Sequence, residues 1–454
     1  MLHGRFLPLL IMMLHLMPPH APGSESGCLT EIQHETIRLL NAWYPRVADN
    51  QYHGFFPNWS YDWKKQKDHQ KGIVTQARHT WSASRAAIRF PENKIYRQTA
   101  DIGFTFLKDA MWDEKYGGFF EYRSRKGKYP NANGMKDTKR MYGNAFAIYA
   151  LSAYYELTGN EEALDLAVQT YHWLENHSRD PLQGGYFNQL LRDGTPMHLH
   201  ENEKTGWDAS YSGLKDYNSG IHILEAYTRL YHVWPDSLLR KTLTDIFRMI
   251  RDKFITEKGY LHLFYRPDWT PVSFRDSTAS VRRANFYLDH VSFGHDVETA
   301  YLMIEAADVL RLPRDAAFDR KMKRLVDHAL LYGWDKKYGG LFEAAYYFKG
   351  DSIPTVVDRR KTWWVQAEAL NAFLLMSILY PEDNKYQTCF KKQWCYIQNY
   401  LIDEEYGGWF GDGLDHQPEN RLGRKGHHWK TSYHTLRALL NCADMLKNQK
   451  TRPE

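Results

Sequence analysis

Apolar residues recur at helical spacing along nearly all of this chain. The clearest stretch is Val291–Leu310, where Val297, Ala300, Tyr301 and Ile304 form one stripe. Paired helical patterns follow one another, such as Met141–Tyr155 with Glu162–His177, and Leu224–Trp234 with Leu238–Phe254. Between the pairs a glycine-aromatic turn returns six times. It reads His53-Gly-Phe-Phe56, Tyr116-Gly-Gly-Phe-Phe-Glu121, Gln183-Gly-Gly-Tyr-Phe187, Lys258-Gly-Tyr-Leu261, Tyr338-Gly-Gly-Leu-Phe-Glu343 and Tyr406-Gly-Gly-Trp-Phe410. The turns are spaced about 65–80 residues apart, enough for two helices that must stack on their neighbours to bury their apolar faces. Asp113, Asp180, Asp335 and Asp403 precede four of them, and each is predicted to cap a turn before the glycines adopt positive φ.

Six helix pairs predict an all-α (α/α)6 barrel, with one inner and one outer helix per pair. An open solenoid is the alternative, but six is a small fixed count with no distinct capping repeats. The first helix after each turn carries the polar residues that suit an inner wall: Arg78, Tyr142, Asn218, His222, His295, Trp364 and His434. Gathered at one end of a ring, they would line one deep pocket.

Composition narrows the function. Aromatics make up 15% of the 454 residues, with 15 Trp and 31 Tyr, which suits stacking on sugar faces. The net charge of +5 is spread without a long basic run, so no nucleic-acid partner is expected. Residues 1–27 read as a signal peptide and leader, with an apolar run from Phe6 to Met17 too short for a lasting membrane span. Export to the periplasm or medium is expected; a start placed upstream of a cytosolic enzyme is the alternative. Residues 28–446 read as one catalytic domain and 447–454 as a polar tail. Cys28, Cys389, Cys395 and Cys442 match no zinc or redox spacing and are expected to be unpaired, mostly buried thiols. His198-Leu-His-Glu201 reads as a solvated loop, because no further ligand cluster accompanies it, and no metal is expected.

Two histidines carry the chemistry. His295 and Glu298 lie three apart on one helix, so the carboxylate is expected to fix the imidazole tautomer and raise its basicity. His434, in Trp429-Lys-Thr-Ser-Tyr-His434, opens the last long helix, read as Thr435–Met445. Histidines from two different repeats would face a substrate from different walls. That suits a proton leaving one face of a carbon and returning on the other. Arg78 would add a fixed positive charge for an oxyanion. Of Trp363 and Trp364, one can face the pocket. Glu368 orients a histidine or closes a salt bridge, and Asn218 and His222 share a helix face.

The segments Asn218–Thr228, Phe293–Glu298, Trp363–Glu368 and Trp429–His434, in this order, resemble the N-acylglucosamine 2-epimerase superfamily, and within it the cellobiose 2-epimerase branch. The resemblance runs from about Arg78 to Leu440. It implies an (α/α)6 barrel with no metal or nucleotide cofactor, acting on a small-molecule sugar. It also implies interconversion of glucose and mannose at the reducing end of a β-linked disaccharide or oligosaccharide. His295 and His434 match the family's acid/base pair, Glu298 the carboxylate supporting the first histidine, and Arg78 the arginine that steadies the enediolate. Tyr142, Asn218 and His222 match residues of the reducing-end site, and Trp364 and Trp429 match stacking residues. Asn144, Ser219-Gly220 and His427-His428 depart from the branch's usual pattern. An aldose–ketose isomerase or an N-acylglucosamine 2-epimerase on the same fold is the neighbouring reading. A glycoside hydrolase ranks behind both, since it would want two carboxylates. A monomer or weak homodimer is expected.

Overall fold

A computed structural model describes residues 25–128, 137–197, 213–313 and 315–450. The leader as far as residue 24, the His198–Glu201 loop and residues 451–454 lie outside them. Fourteen α-helices occupy the described chain: α1 (Glu25–Trp43), α2 (Ile73–Arg89), α3 (Lys94–Phe106), α4 (Met141–Thr158), α5 (Glu161–His177), α6 (Tyr217–Val233), α7 (Ser237–Met249), the short α8 (Ala279–Ala284) and α9 (Phe286–Asp289), α10 (Phe293–Leu310), α11 (Ala316–Tyr332), α12 (Trp363–Leu379), α13 (Asn384–Tyr400) and α14 (Tyr433–Lys450). Helices α2, α4, α6, α10, α12 and α14 each pack on the next, and α14 packs back on α2. Each also carries an outer partner, namely α3, α5, α7, α11, α13 and α1 in that order. The predicted (α/α)6 barrel is therefore closed, and its last pair joins the first helix of the chain to the last.

Residue pattern sorts the two rings. Outer α7 buries one stripe, Leu239, Thr242, Leu243, Ile246 and Phe247, and turns its charges outward. Inner α12 buries an unbroken run from Val365 to Leu374, polar Gln366, Glu368 and Asn371 included. Such a helix has no face to give to water.

The turns between pairs behave as predicted. Oδ1 of Asp113, Asp180, Asp335 and Asp403 accepts backbone N–H groups two and, in three of the four, also three residues on. The glycines that follow take positive φ, as at Gly118 (φ 71°), where a Cβ would also sit 2.8 Å from the Trp173 ring. A second device escaped the sequence reading. A buried lysine spans from just before an inner helix to the same aspartate: Lys71 to Asp49, Lys139 to Asp113, Lys215 to Asp180, Lys361 to Asp335 and Lys425 to Asp403. In addition, the fourth residue of four inner helices holds the backbone of the aromatic turn. Gln76 accepts from Phe55 N, Asn144 from Phe119 N, Asp296 from Leu261 N and Gln366 from Leu341 N. Asn144, one of the departures noted above, is thus a turn clamp.

None of the four cysteines forms a disulfide among the described residues; Cys28 and Cys442 are buried, and Cys389 and Cys395 are half-buried. Among the described residues, no helix is long and apolar enough to cross a membrane.

Candidate active site

Counting from the first residue of each inner helix places the site. Positions two, six, nine and thirteen follow 3.6-residue periodicity and face the barrel axis in successive layers. Position two supplies Tyr142, Asn218, Trp364 and His434. Position six supplies Arg78, His222, Glu298 and Glu368. All the inner-helix residues picked out from sequence therefore converge at the N-terminal end of the inner ring. His295 stands at position three, because position two of α10 is Gly294, where a Cβ would meet the Trp364 ring at 2.6 Å.

The Trp364 ring packs against both histidines, 4.8 Å from His295 and 5.8 Å from His434, centroid to centroid. Across the pocket, Arg78 donates from Nη1 to the Trp429 carbonyl (2.9 Å) and from Nη2 to the Tyr142 hydroxyl (3.0 Å). Its guanidinium lies over the rings of Phe146 and Tyr433. Its Nε is buried without a hydrogen-bond partner. Tyr142 touches the rings of His222 and Trp429, and Trp429 is exposed at the mouth.

One expectation is corrected. Glu298 does not support His295, whose Nδ1 is enclosed and has no hydrogen-bond partner. Glu298 Oε1 instead accepts from Arg437 Nη2 at 2.5 Å and lies 3.9 Å from His434 Nδ1. Spacing of three places both groups on one face, but His295 sits at the mouth while Glu298 lies one turn deeper, within reach of Arg437. Imidazole–carboxylate pairs do form elsewhere: His434 Nδ1 with Glu368 Oε1 at 2.7 Å, and His222 Nδ1 with Glu225 Oε2 at 2.9 Å. Glu368 thus does both things anticipated of it, orienting His434 and bonding Arg437 at 2.7 Å.

Arg437 and Glu225 were missed. The Arg437 guanidinium gathers Glu225, Glu298 and Glu368, as well as the Tyr433 hydroxyl. The available signal was a charged residue three places after His434, inside the apolar run Leu436–Leu440. Ligand atoms of Glu298, Glu368 and His434 do lie within 4.8 Å of one another. The cation that bridges these carboxylates is Arg437. A second such group, Asp335, Asp415 and His416, is likewise held by Lys361 Nζ at 2.7 and 2.6 Å from its two carboxylates.

Burial sets the protonation states. It lowers His295 to about 3, with His222 adding to the effect. It also holds His434 well below its ordinary value, with Arg78 next in weight. Both are neutral bases near pH 7. Burial would raise Glu225, but Arg437 and then His222 outweigh it and keep the carboxyl well below the usual range. Burial raises Glu368 against the pull of Arg437.

Known proteins share this arrangement of helices and sequence. The family profile of N-acylglucosamine 2-epimerase (GlcNAc 2-epimerase) matches residues 54–438. A cellobiose 2-epimerase of Bacteroides fragilis is 29% identical over 421 residues, covering 92% of this chain and 98% of that protein. One of Ruminococcus albus is 29% identical over 414 residues, covering 90% and 96%. The solved structure of cellobiose 2-epimerase from Spirochaeta thermophila superposes with a TM-score of 0.78 at 28% identity, covering 94% of this chain and 98% of that one. The chain therefore belongs to the N-acylglucosamine 2-epimerase family and is a sugar 2-epimerase, a carbohydrate isomerase.

Proposed function

We propose that this enzyme interconverts glucose and mannose at the reducing end of a β-linked disaccharide or oligosaccharide. After ring opening, one histidine takes the C2 proton and the electron pair moves to give a cis-enediolate. Arg78 holds its oxygen, using the Nε that no protein group occupies. The other histidine returns a proton to the opposite face of C2, so the configuration inverts with no net loss of atoms or electrons. Tyr142, Asn218 and His222 contact the reducing-end sugar, and Trp364 and Trp429 stack on its rings. The observation that carries this reading is the pair of neutral imidazoles, His295 and His434, both packed against Trp364, with Arg78 acting on His434. Hydrolysis by two carboxylates fits less well, because the three axial glutamates are bound by one guanidinium.

The test is incubation of purified enzyme with cellobiose, mannobiose and N-acetylglucosamine in heavy water, with product separation. We expect a 2-epimeric disaccharide from cellobiose with deuterium at C2. Free monosaccharides would point to hydrolysis and overturn the proposal. We also read residues 1–27 as an export leader, which sequencing the N-terminus of the mature protein would test.

A further inference from the structure

The opposite end of the barrel axis holds a separate cavity of about 230 Å³. Its wall is built from the deep positions of five inner helices: Trp81 and Arg85 on α2, Tyr149 on α4, Thr228 and Arg229 on α6, Tyr301 and Glu305 on α10, and Asn441 on α14. Glu225 and Arg437 form the shared floor that separates it from the histidines. Position thirteen lies about 16 Å along the helix from position two, so this cavity is distinct from the pocket at the mouth.

Both arginines and carboxylates line it. Arg437 bonds its three glutamates through Nη1 and Nη2, and its Nε is buried without a partner. Arg85 and Arg229 share a single carboxylate, Glu156. Burial, and then the neighbouring Glu225, raise Glu305 above the usual carboxylate range. After burial, Arg229 and Arg85 hold His232 below its ordinary value. With Arg437 Nε, three buried donors on residues lining the cavity have no hydrogen-bond partner. The Nε of Arg229 is enclosed and unbonded, and Thr228, 5% exposed, leaves Oγ1 unpaired. Buried polar atoms without partners are uncommon and call for an explanation.

We propose that this far cavity is a binding site for a small oxyanion, held by Arg85, Arg229 and the Thr228 hydroxyl. Guanidinium groups match the planar, multi-oxygen geometry of carboxylate and phosphate. The space suits inorganic phosphate or a short carboxylate.

Titration calorimetry on the full chain in low-chloride buffer tests this, with inorganic phosphate in one arm and acetate in the other. We expect saturable one-site binding of at least one anion; the tighter arm identifies the source. Arg229→Gln should weaken it about tenfold or more, while Arg78→Gln leaves it unchanged. Thr228→Val keeps every ion pair and should also weaken binding, which guards against misfolding of the arginine variant. Absence of saturable binding by either anion overturns the proposal. So does binding that Arg229→Gln and Thr228→Val leave intact, or binding that only Arg78→Gln removes, which would place the anion in the sugar pocket.

Discussion

Replacing Glu368 by Gln isolates the support of one catalytic histidine. The His434 Nδ1–H donates to Glu368 Oε1 at 2.7 Å, and the carboxylate stabilises the imidazolium that forms when His434 takes a proton. A hydrogen bond to a charged group is worth about 1.5–3 kcal/mol. If that difference falls wholly on the proton-transfer step, kcat should drop about ten- to hundredfold. KM should change little, because the amide oxygen still accepts and the ring keeps its place. The fold should hold, since Arg437 keeps Glu225 and Glu298. With the negative charge gone, protonated His434 is disfavoured. The acidic limb of the rate profile should therefore move to lower pH. Initial rates of epimer formation from cellobiose, measured from about pH 3 to 9, read both effects. Glu298→Gln serves as the comparison: its carboxylate is 3.9 Å from His434, beyond hydrogen-bond reach, and a smaller loss is expected. A Glu368→Gln enzyme within about twofold of wild type with an unmoved acidic limb would refute the assignment of this carboxylate to His434.

Arg78→Ala should slow deuterium exchange at C2 and epimerisation together, by about a hundredfold or more, because the enediolate is common to both; loss of epimerisation alone, seen by NMR, would contradict it. Asp113→Asn leaves Lys139 buried without its carboxylate and should cost about 3–5 kcal/mol in urea unfolding. His79 is held at about 3 by burial, below its unfolded value, so the unfolded chain alone takes up its proton as pH falls below about 6.5. His79→Gln removes that uptake, and its melting temperature should fall less than wild type's between about pH 7 and 5; parallel slopes would refute the buried, neutral assignment.

The repeat was legible because its turns impose backbone conformations that only glycine meets easily, as at Gly118. Helix starts were less so. The sequence pattern opens α6 at Leu224, yet the helix begins at Tyr217, because Asn218, Ser219, Gly220 and His222 look like loop residues until an axis receives them. The lysine–aspartate ties were invisible for a related reason. Lys71 and Asp49 are 22 residues apart, and each is an ordinary surface residue type whose burial depends on the other. Glu298 shows the limit of spacing arguments. Position on a helix told that it faces the axis, but which histidine it serves depends on Arg437, contributed by another helix and 139 residues away.

Arg437 also explains why the axis tolerates so much charge. Three carboxylates gathered on the axis of a buried ring would repel one another and take up protons. One guanidinium bonded to all three keeps them ordered, and two of them in turn hold His222 and His434 at Nδ1. The orientation of two imidazoles on α6 and α14 therefore rests on a single side chain. His295 is different: its Nδ1 has no carboxylate, and its ring lies against Trp364. The two bases are thus unequal before any sugar binds. A proton on His434 is offset by Glu368, whereas a proton on His295 has no such partner and must be passed on or be stabilised by the enediolate. That inequality predicts that substituting Arg437 will change the His434 half-reaction more than the His295 half-reaction, a distinction that C2 exchange measured separately from glucose-ended and mannose-ended substrate can resolve.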